Sequence, residues 1–255
     1  MGVVTLSLQS GSNGNAVYVE ADDVRLLFDA GISGVLAERR LAQHGRDIHE
    51  VDALILSHDH SDHVCCAGIY QRKFGLPIYM TRPTHRAMYC DLGRLTDIRY
   101  FRSGDSLQFG RVTVHTLHTP HDAADAVVFV VDYEGRRLGV LTDLGHPFAR
   151  LGRVLEDLDA AYLESNYDPQ MLDEGPYPPY LKARIRGVGG HLSNVESAEL
   201  VRGCGRHRPK WIALAHLSEQ NNDPKVALET HRQHLGDDYP LHLASRYRAS
   251  ELLGI

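Results

Sequence analysis

The strongest chemical signal in the sequence is a stretch that places three histidines and two aspartates in six consecutive positions. Among them, His58, His60, Asp62 and His63 carry imidazole and carboxylate groups, the ligands that borderline divalent metals such as zinc prefer. Four such groups so close together supply two metals more readily than one. The alternative is a polar turn with solvated histidines, but an H-x-H-x-D-H pattern directly after an apolar run favours a metal site.

The elements around this stretch must hold its side chains in place. Residues 52–57 have the aliphatic content and the length of a fully buried strand, and residues 64–74 predict a helix that begins beside the metal site. Upstream, residues 24–28 predict another strand, and Ser33 is placed to cap a helix that runs to about Gln43. Strand, helix and strand in this succession predict an α/β sandwich.

Other loops and strand ends also carry polar side chains. The loop of residues 10–15 contains residues that tolerate positive φ, and its amides could cradle an anion, although a plain hairpin connection is the alternative. Residues 138–143 form a predicted apolar strand that ends in a carboxylate, Asp143. His121 follows a Thr-Pro pair in a loop, where its imidazole can turn toward the edge of a sheet, whereas His118 lies at the end of a predicted strand.

The H-x-H-x-D-H pattern after a core strand resembles the first metal motif of the metallo-β-lactamase superfamily. The resemblance implies an αββα sandwich, with residues 1–255 forming a single hydrolase domain. It also implies that His121, Asp143 and His216 complete the ligand set and that Asp143 bridges two metals. Helix capping is the alternative for Asp143. At the position of His121, the superfamily usually has a histidine that is followed by a threonine and a glycine. Asp122 follows His121 here, so His118 remains an alternative ligand.

Two further positions resemble the tRNase Z-type nucleases of this superfamily. Glu164 falls where those nucleases have a glutamate, and His191 falls where they have a histidine that acts on the phosphate. The resemblance implies that His191 protonates the leaving oxygen, that Glu164 orients it, and that Asp62 both ligates metal and orients the nucleophile. The alternatives are a surface carboxylate for Glu164 and a histidine near a helix cap for His191.

The full set of short motifs covers nearly the whole chain and resembles the WalJ (YycJ)-type branch of the superfamily. The resemblance implies two divalent metal ions, Zn2+ or Mn2+, and a 5′→3′ exonuclease that acts on DNA. Asp143 and His216 are too close in sequence for the inserted second domain of the β-CASP nucleases. The sandwich face must then grip the polymer, and Lys182, Arg184 and Arg186 are candidates for phosphate contacts, with a solvated charged segment as the alternative.

Bulk composition is typical of an ordinary soluble globular protein. The chain has 255 residues, 43% of them hydrophobic and 24% charged, and a net charge of -6 that argues against a protein coating a polyanion while leaving room for a local basic groove. The four cysteines show no disulfide spacing. The N-terminus lacks a secretion signal and no apolar run has membrane-spanning length, so we expect a cytoplasmic protein without a membrane partner.

Three classes of function fit these residues. A nuclease is favoured by His191 with Glu164; a small-molecule hydrolase, such as a cyclic phosphodiesterase, lactonase or thioesterase, could use the same metal site. A metal-containing binding protein without turnover is disfavoured because no expected ligand is missing. The sequence leaves open whether the substrate is DNA, RNA or a small phosphodiester, as well as the direction of digestion, the native metal and the oligomeric state.

Overall fold

Two seven-stranded sheets face each other. The computed structural model describes residues 2–255, so Met1, the start of the N-terminal segment discussed above, lies outside them. The first sheet contains, in spatial order, β14 (Leu253–Gly254), β1 (Val3–Gln9), β2 (Ala16–Ala21), β3 (Val24–Phe28), β4 (Ala53–Ile55), β5 (Ile78–Thr81) and β6 (Ile98–Phe101). The second contains, in spatial order, β13 (Leu241–Leu243), β12 (Trp211–Ala215), β11 (Ala160–Glu164), β10 (Arg136–Leu141), β9 (Val127–Tyr133), β8 (Val112–His118) and β7 (Ser106–Phe109).

Helices cover the outer faces of both sheets. They are α1 (Gly34–Ala42), α2 (Ser61–Val64), α3 (Ala67–Phe74), α4 (Arg82–Ala87), α5 (Ala149–Glu156), α6 (Pro169–Glu174), α7 (Pro179–Arg186), α8 (Asn194–Gly203) and α9 (Pro224–Leu235). Apolar side chains of α1 and α3 pack on the first sheet, and those of α5, α8 and α9 pack on the second. None of the helices within residues 2–255 combines the length and the apolar composition needed to cross a membrane.

The main core lies between the two sheets. Successive side chains of a strand point to opposite faces, so Leu26 and Phe28 of β3 enter this core while Leu27 packs under the helices. Strands buried on both faces therefore have the continuous apolar runs that the sequence shows. Phe28 meets Phe129 of β9 across the core, with ring centroids 4.9 Å apart. The layer order of helix, sheet, sheet and helix confirms the predicted αββα sandwich.

Parallel pairing brings the strand ends with candidate ligands to one edge of each sheet. Strands β3 to β6 run parallel to one another, and so do β10 to β13. The carboxyl ends of β4, β10 and β12 precede His58, Asp143 and His216. The two sheets meet there, because the N–H of Val127 donates to the carbonyl of Ser57 at 3.2 Å. Such carboxyl ends are where α/β folds place their ligands.

The helix after β4 differs from its prediction. Instead of one helix over residues 64–74, the chain forms α2 and α3, because the N–H of Cys66 donates to the carbonyl of Ala30 at 2.9 Å and the chain changes direction. The first helix begins at Ser61, so Asp62 and His63 lie on a helical turn and not in a loop.

Replacing Phe129 by alanine should lower the free energy of unfolding by about 3–5 kcal/mol, because it removes a buried ring and leaves a cavity between the sheets. Chemical denaturation followed by circular dichroism measures this change. Tyr89→Ala removes a side chain that is 74% exposed and serves as the control, with an expected change below about 0.5 kcal/mol. A loss of less than about 1 kcal/mol for Phe129→Ala would contradict the packing described here.

Candidate metal centre

Three histidines form the first group of candidate ligands. His58 and His60 follow β4, and His121 follows β8; one ring nitrogen of each lies within 4.8 Å of the others. Nε2 of His58 is buried and has no hydrogen-bond partner within residues 2–255. The alternative ligand, His118, lies at the end of β8 and lines a separate cavity of about 420 Å³ together with His115. The structure therefore brings His121, and not His118, to the group.

A second group combines Asp62, His63 and His216, again with one ligand atom each within 4.8 Å of the others. Oδ2 of Asp62 lies 3.5 Å from Nε2 of His63 and 3.4 Å from Nε2 of His216. His63 and His216 are buried, whereas Asp62 is partly exposed. Asp62 is therefore reached by solvent and also contacts the buried imidazoles of His63 and His216.

Asp143 lies between the two groups. Its Oδ2 is 3.2 Å from Nε2 of His63, and its Oδ1 is 3.6 Å from Nε2 of His121. Oδ2 is buried and makes no hydrogen bond with acceptable geometry to any described residue. Asp143 also has a positive φ of 58°, which a residue with a Cβ adopts only when its surroundings require it. A carboxylate with one oxygen toward each histidine group has the position of a bridging ligand.

The charges in this cluster depend on one another. Burial by itself would raise the pKa of Asp143, but the imidazoles of His216 and His63 hold it well below its usual range. Burial would lower the pKa of His63, yet Asp143 and two other carboxylates raise it well above the ordinary value. Burial would also lower the pKa of His216, but Asp143 and neighbouring carboxylates raise it to about 10. Burial and the imidazole of His63 lower the pKa of His58. A metal ion must therefore displace protons from His63 and His216.

Asp29 is a supporting residue that the sequence reasoning did not single out. It follows β3 with a φ of 64°, and its Oδ2 lies 2.7 Å from Nδ1 of His63. Its carboxylate also accepts hydrogen bonds from the backbone N–H and the hydroxyl of Ser57, at 2.8 and 2.9 Å. A carboxylate on the far ring nitrogen fixes the orientation of a ligating histidine. An aspartate at the end of a strand was the only signal of this role.

The loop between β1 and β2 supports candidate ligands, and two of the amides that could cradle an anion are already hydrogen-bonded within the protein. The N–H groups of Gly11 and Asn15 donate to acceptors inside the protein. In addition, Oγ of Ser10 accepts the N–H of His216 at 2.8 Å, and the Asn15 amide donates to Oδ2 of Asp62 at 3.2 Å. The prediction of an anion cradle is therefore wrong for these two amides.

Glu164 and His191 are paired beside these groups. Nδ1 of His191 lies 2.8 Å from Oε1 of Glu164, whose other oxygen accepts the backbone N–H groups of Leu144 and Leu192 at 2.9 and 3.2 Å. Glu164 is fully buried, not a surface carboxylate. Burial would raise its pKa, but His191 and His216 offset this and lower it to about 2. Oε1 also lies 3.1 Å from Nδ1 of His216, a contact that the sequence did not predict.

A cavity of about 230 Å³ opens over the centre. Its floor is polar and includes His60, Asp62, Asp143, His191 and His216, and one wall is formed by side chains of the segment that contains α7, namely Tyr177, Leu181, Arg184 and Ile185.

Only one of the three cations predicted to contact phosphate lines this cavity. Arg184 does so, with Nε paired to Asp122 at 2.5 Å. Lys182 donates to the carbonyl of Asp173 at 2.7 Å, and Arg186 pairs with the Asp173 carboxylate at 2.5 Å. Lys182 and Arg186 are therefore bound to α6, and the prediction that the whole run faces the site is wrong for them.

Comparisons with known proteins agree with this architecture. Residues 10–170 match the family model described as the metallo-beta-lactamase superfamily. The chain is 36% identical to exodeoxyribonuclease YycJ of Bacillus anthracis, over 89% of this chain and 87% of that protein. It is 35% identical to exodeoxyribonuclease WalJ of Streptococcus pneumoniae, over 86% and 83%. The structure of the short form of human tRNase Z, 15% identical, superimposes with a TM-score of 0.67 over 97% and 98% of the two chains, a likeness of fold.

Loading with a divalent metal at pH 7 should release about two protons per chain, because His63 and His216 have raised pKa values and must become neutral to ligate. Since a raised pKa keeps the proton bound until the pH exceeds it, metal affinity should increase as the pH rises. Calorimetry in buffers of different ionisation enthalpy counts the protons.

Two variants make this count specific. His216→Asn should release about one proton fewer. His231→Asn is the control, because burial lowers the pKa of His231 to about 4 and it carries no proton to lose at pH 7. An unchanged proton count in His216→Asn would contradict the charge assignment.

Proposed function

Because the chain belongs to the metallo-β-lactamase superfamily, we propose that it is a 5′→3′ exonuclease that hydrolyses DNA with two divalent metal ions, Zn2+ or Mn2+. The observation that carries the proposal is the pair of Glu164 and His191 beside a full set of candidate ligands. The thiolate that leaves a thioester needs no such acid, whereas the alkoxide that leaves a phosphodiester does. The names of the two bacterial relatives support DNA as the substrate.

Seven side chains would hold the metals. Imidazole and carboxylate donors suit both zinc and manganese, and two buried ligand atoms that have no hydrogen-bond partner within residues 2–255, Nε2 of His58 and Oδ2 of Asp143, suit a cation between them. When bound, the metals would activate water and offset charge on the phosphate oxygens. One set would be His58, His60 and His121, the other Asp62, His63 and His216, with Asp143 shared.

His191 would transfer a proton to the leaving oxygen. Glu164 has a lowered pKa and stays ionised at neutral pH, so it accepts the Nδ1–H of His191. Nε2 is then the ring nitrogen left to exchange a proton with the substrate, because His191 also lines the cavity. Asp62, whose Oδ2 accepts from Asn15, would orient the attacking water in addition to ligating metal.

The segment containing α7 would contact the terminal nucleotide. Tyr177, Leu181 and Ile185 give one wall of the cavity an apolar surface suited to a sugar or a base. Arg184 lies on the same wall, and its guanidinium could exchange Asp122 for a substrate phosphate.

Incubation with end-labelled single-stranded DNA and Mn2+ or Zn2+ tests the proposal. A 5′ label should appear first in mononucleotides, and a 3′ label should remain on shortening fragments. RNA of the same sequence should be cleaved more slowly.

Asp143→Asn should lower the rate by more than about 100-fold, since even the outer partners of metal ligands contribute 10- to 100-fold. Asp157→Asn, an exposed change of the same type at the residue that directly follows α5, is the control. Hydrolysis of a chromogenic diester without any cleavage of DNA would point to a small-molecule hydrolase.

His191→Ala should lower turnover of DNA by a factor on the order of 10² to 10⁴ while the metal content, measured by elemental analysis, stays at about two per chain. The loss should be much smaller on a nitrophenyl phosphodiester, because nitrophenolate leaves without a proton. His118→Ala is the control and should affect neither quantity, since His118 lies outside the cavity. Loss of metal in His191→Ala, or equal loss on both substrates, would remove His191 from the role of acid.

A further inference from the structure

A cluster of exposed cationic and aromatic side chains lies on and around α4 and β6. We call it the α4–β6 patch and define it by Arg82, His85, Arg86, Tyr100 and Arg102. Its three arginines are exposed, and residues 82–102 contain five arginines against two aspartates in a chain whose net charge is -6. A local excess of positive charge in an acidic protein marks a surface for an anionic partner.

The guanidinium groups of the patch are not neutralised. Within residues 2–255, no carboxylate lies within ion-pair distance of the side chains of Arg82, Arg86 or Arg102. The nearest acid to Arg102 along the chain, Asp105, accepts its backbone N–H at 2.7 Å. The neighbouring Arg99, by contrast, is paired with Asp97 at 3.3 Å. The patch therefore keeps its charge for a ligand.

Aromatic contacts hold part of the patch in place. Cζ of Arg82 lies 4.1 Å from the centre of the Tyr100 ring, and Nδ1 of His85 lies 2.7 Å from the Tyr100 hydroxyl. A guanidinium stacked on an aromatic face loses less freedom when it binds phosphate. Arg86 follows Arg82 by four residues on α4, so the two cations lie on the same face of the helix.

The patch lies at the same edge as the metal centre. Strands β4, β5 and β6 are parallel neighbours, so Arg82 and Arg102, which directly follow β5 and β6, lie at the edge where His58 follows β4. Two strand spacings place the patch on the order of 10 Å from that ligand. The hydroxyl of Thr84 in α4 donates to the carbonyl of Asp125 at 3.4 Å, which joins α4 to the loop that begins with His121.

We propose that the α4–β6 patch binds the phosphates of the DNA strand on the 3′ side of the bond being cleaved. This proposal rests on the proposed function. The cavity of about 230 Å³ has room for little more than the terminal nucleotide, and Arg184, the one arginine or lysine among the described residues that line it, is already paired with Asp122. The rest of a strand must cross the rim of an acidic protein, and the patch offers unpaired cations there.

Binding of a 20-nucleotide single strand with phosphorothioate linkages, which resists hydrolysis, tests the patch in the metal-loaded protein. The double variant Arg82→Glu/Arg86→Glu should raise the Kd on the order of 10-fold or more. The triple variant that also carries Arg102→Glu should have a slope of log Kd against log salt about 2 lower than that of the wild type, since it loses three phosphate contacts and each contributes about 0.7 on a single strand. The neutral pair Arg82→Gln/Arg86→Gln should weaken binding less, in the same direction.

The matched control is Arg206→Glu/Arg232→Glu. Both arginines are exposed, and they precede the starts of β12 and β13, at the opposite edge of the second sheet. The control makes the same change in net charge and should alter the Kd less than about threefold. Equal weakening in the control and the patch variants would overturn the proposal, as would a patch variant that binds like wild type.

Cleavage measured beside binding separates this proposal from the proposed function. In the patch variants, the ratio of kcat/KM for a 20-nucleotide strand to that for a dinucleotide should fall on the order of 10-fold, because only the longer strand reaches the patch. Patch variants with unchanged binding and an unchanged ratio would overturn the patch while leaving the nuclease intact. Patch-dependent binding by a protein that cleaves no DNA would overturn the nuclease and leave the patch.

Discussion

The constraint on which this structure depends is the burial of the Asp143 carboxylate where the two sheets meet. An ionised group in a protein interior is costly unless it is paired, and this one is only 2% exposed. Imidazoles from both sheets surround it: His63 comes from the first sheet, and His121 and His216 come from the second. Metal ions would replace their protons and provide the same compensation with a higher charge.

The strands bring residues that are distant in sequence to that carboxylate. The residues of β4 and β12 and the last four residues of β10 are apolar and buried, so the strands are rigid and their carboxyl ends are fixed in space. Asp29, Asp143 and His216 all follow a strand with φ between 56° and 64°. Three residues with a left-handed backbone conformation at one edge indicate that the backbone is strained there and that this conformation directs polar side chains inward.

The sequence was informative where local pattern determines structure, and weak where packing does. The strand pattern predicted an α/β sandwich with polar groups where apolar runs end. The resemblance of the metal motif to the metallo-β-lactamase superfamily implied the αββα order and the convergence of His58, Asp143 and His216. The position of α7 over the site was not predicted, since the helix buries no residue and its apolar side chains, Leu181 and Ile185, line the open cavity and not a core. Arg186 was misplaced for a similar reason, because its partner, Asp173, belongs to another helix.

The contact between Glu164 and His216 also arises from packing between residues that are distant in sequence, and it has a chemical consequence. One oxygen of Glu164 lies within 3.1 Å of Nδ1 of both His191 and His216, so a single carboxylate orients the proposed acid and a candidate metal ligand. Removing Glu164 would therefore disturb metal binding and proton transfer together, and its effect could not be assigned to either. His191 contacts no other candidate ligand by hydrogen bond, and its ring can be removed while Glu164 continues to hold His216. With the proposed roles, acid chemistry and metal binding would be separable at His191 and inseparable at Glu164.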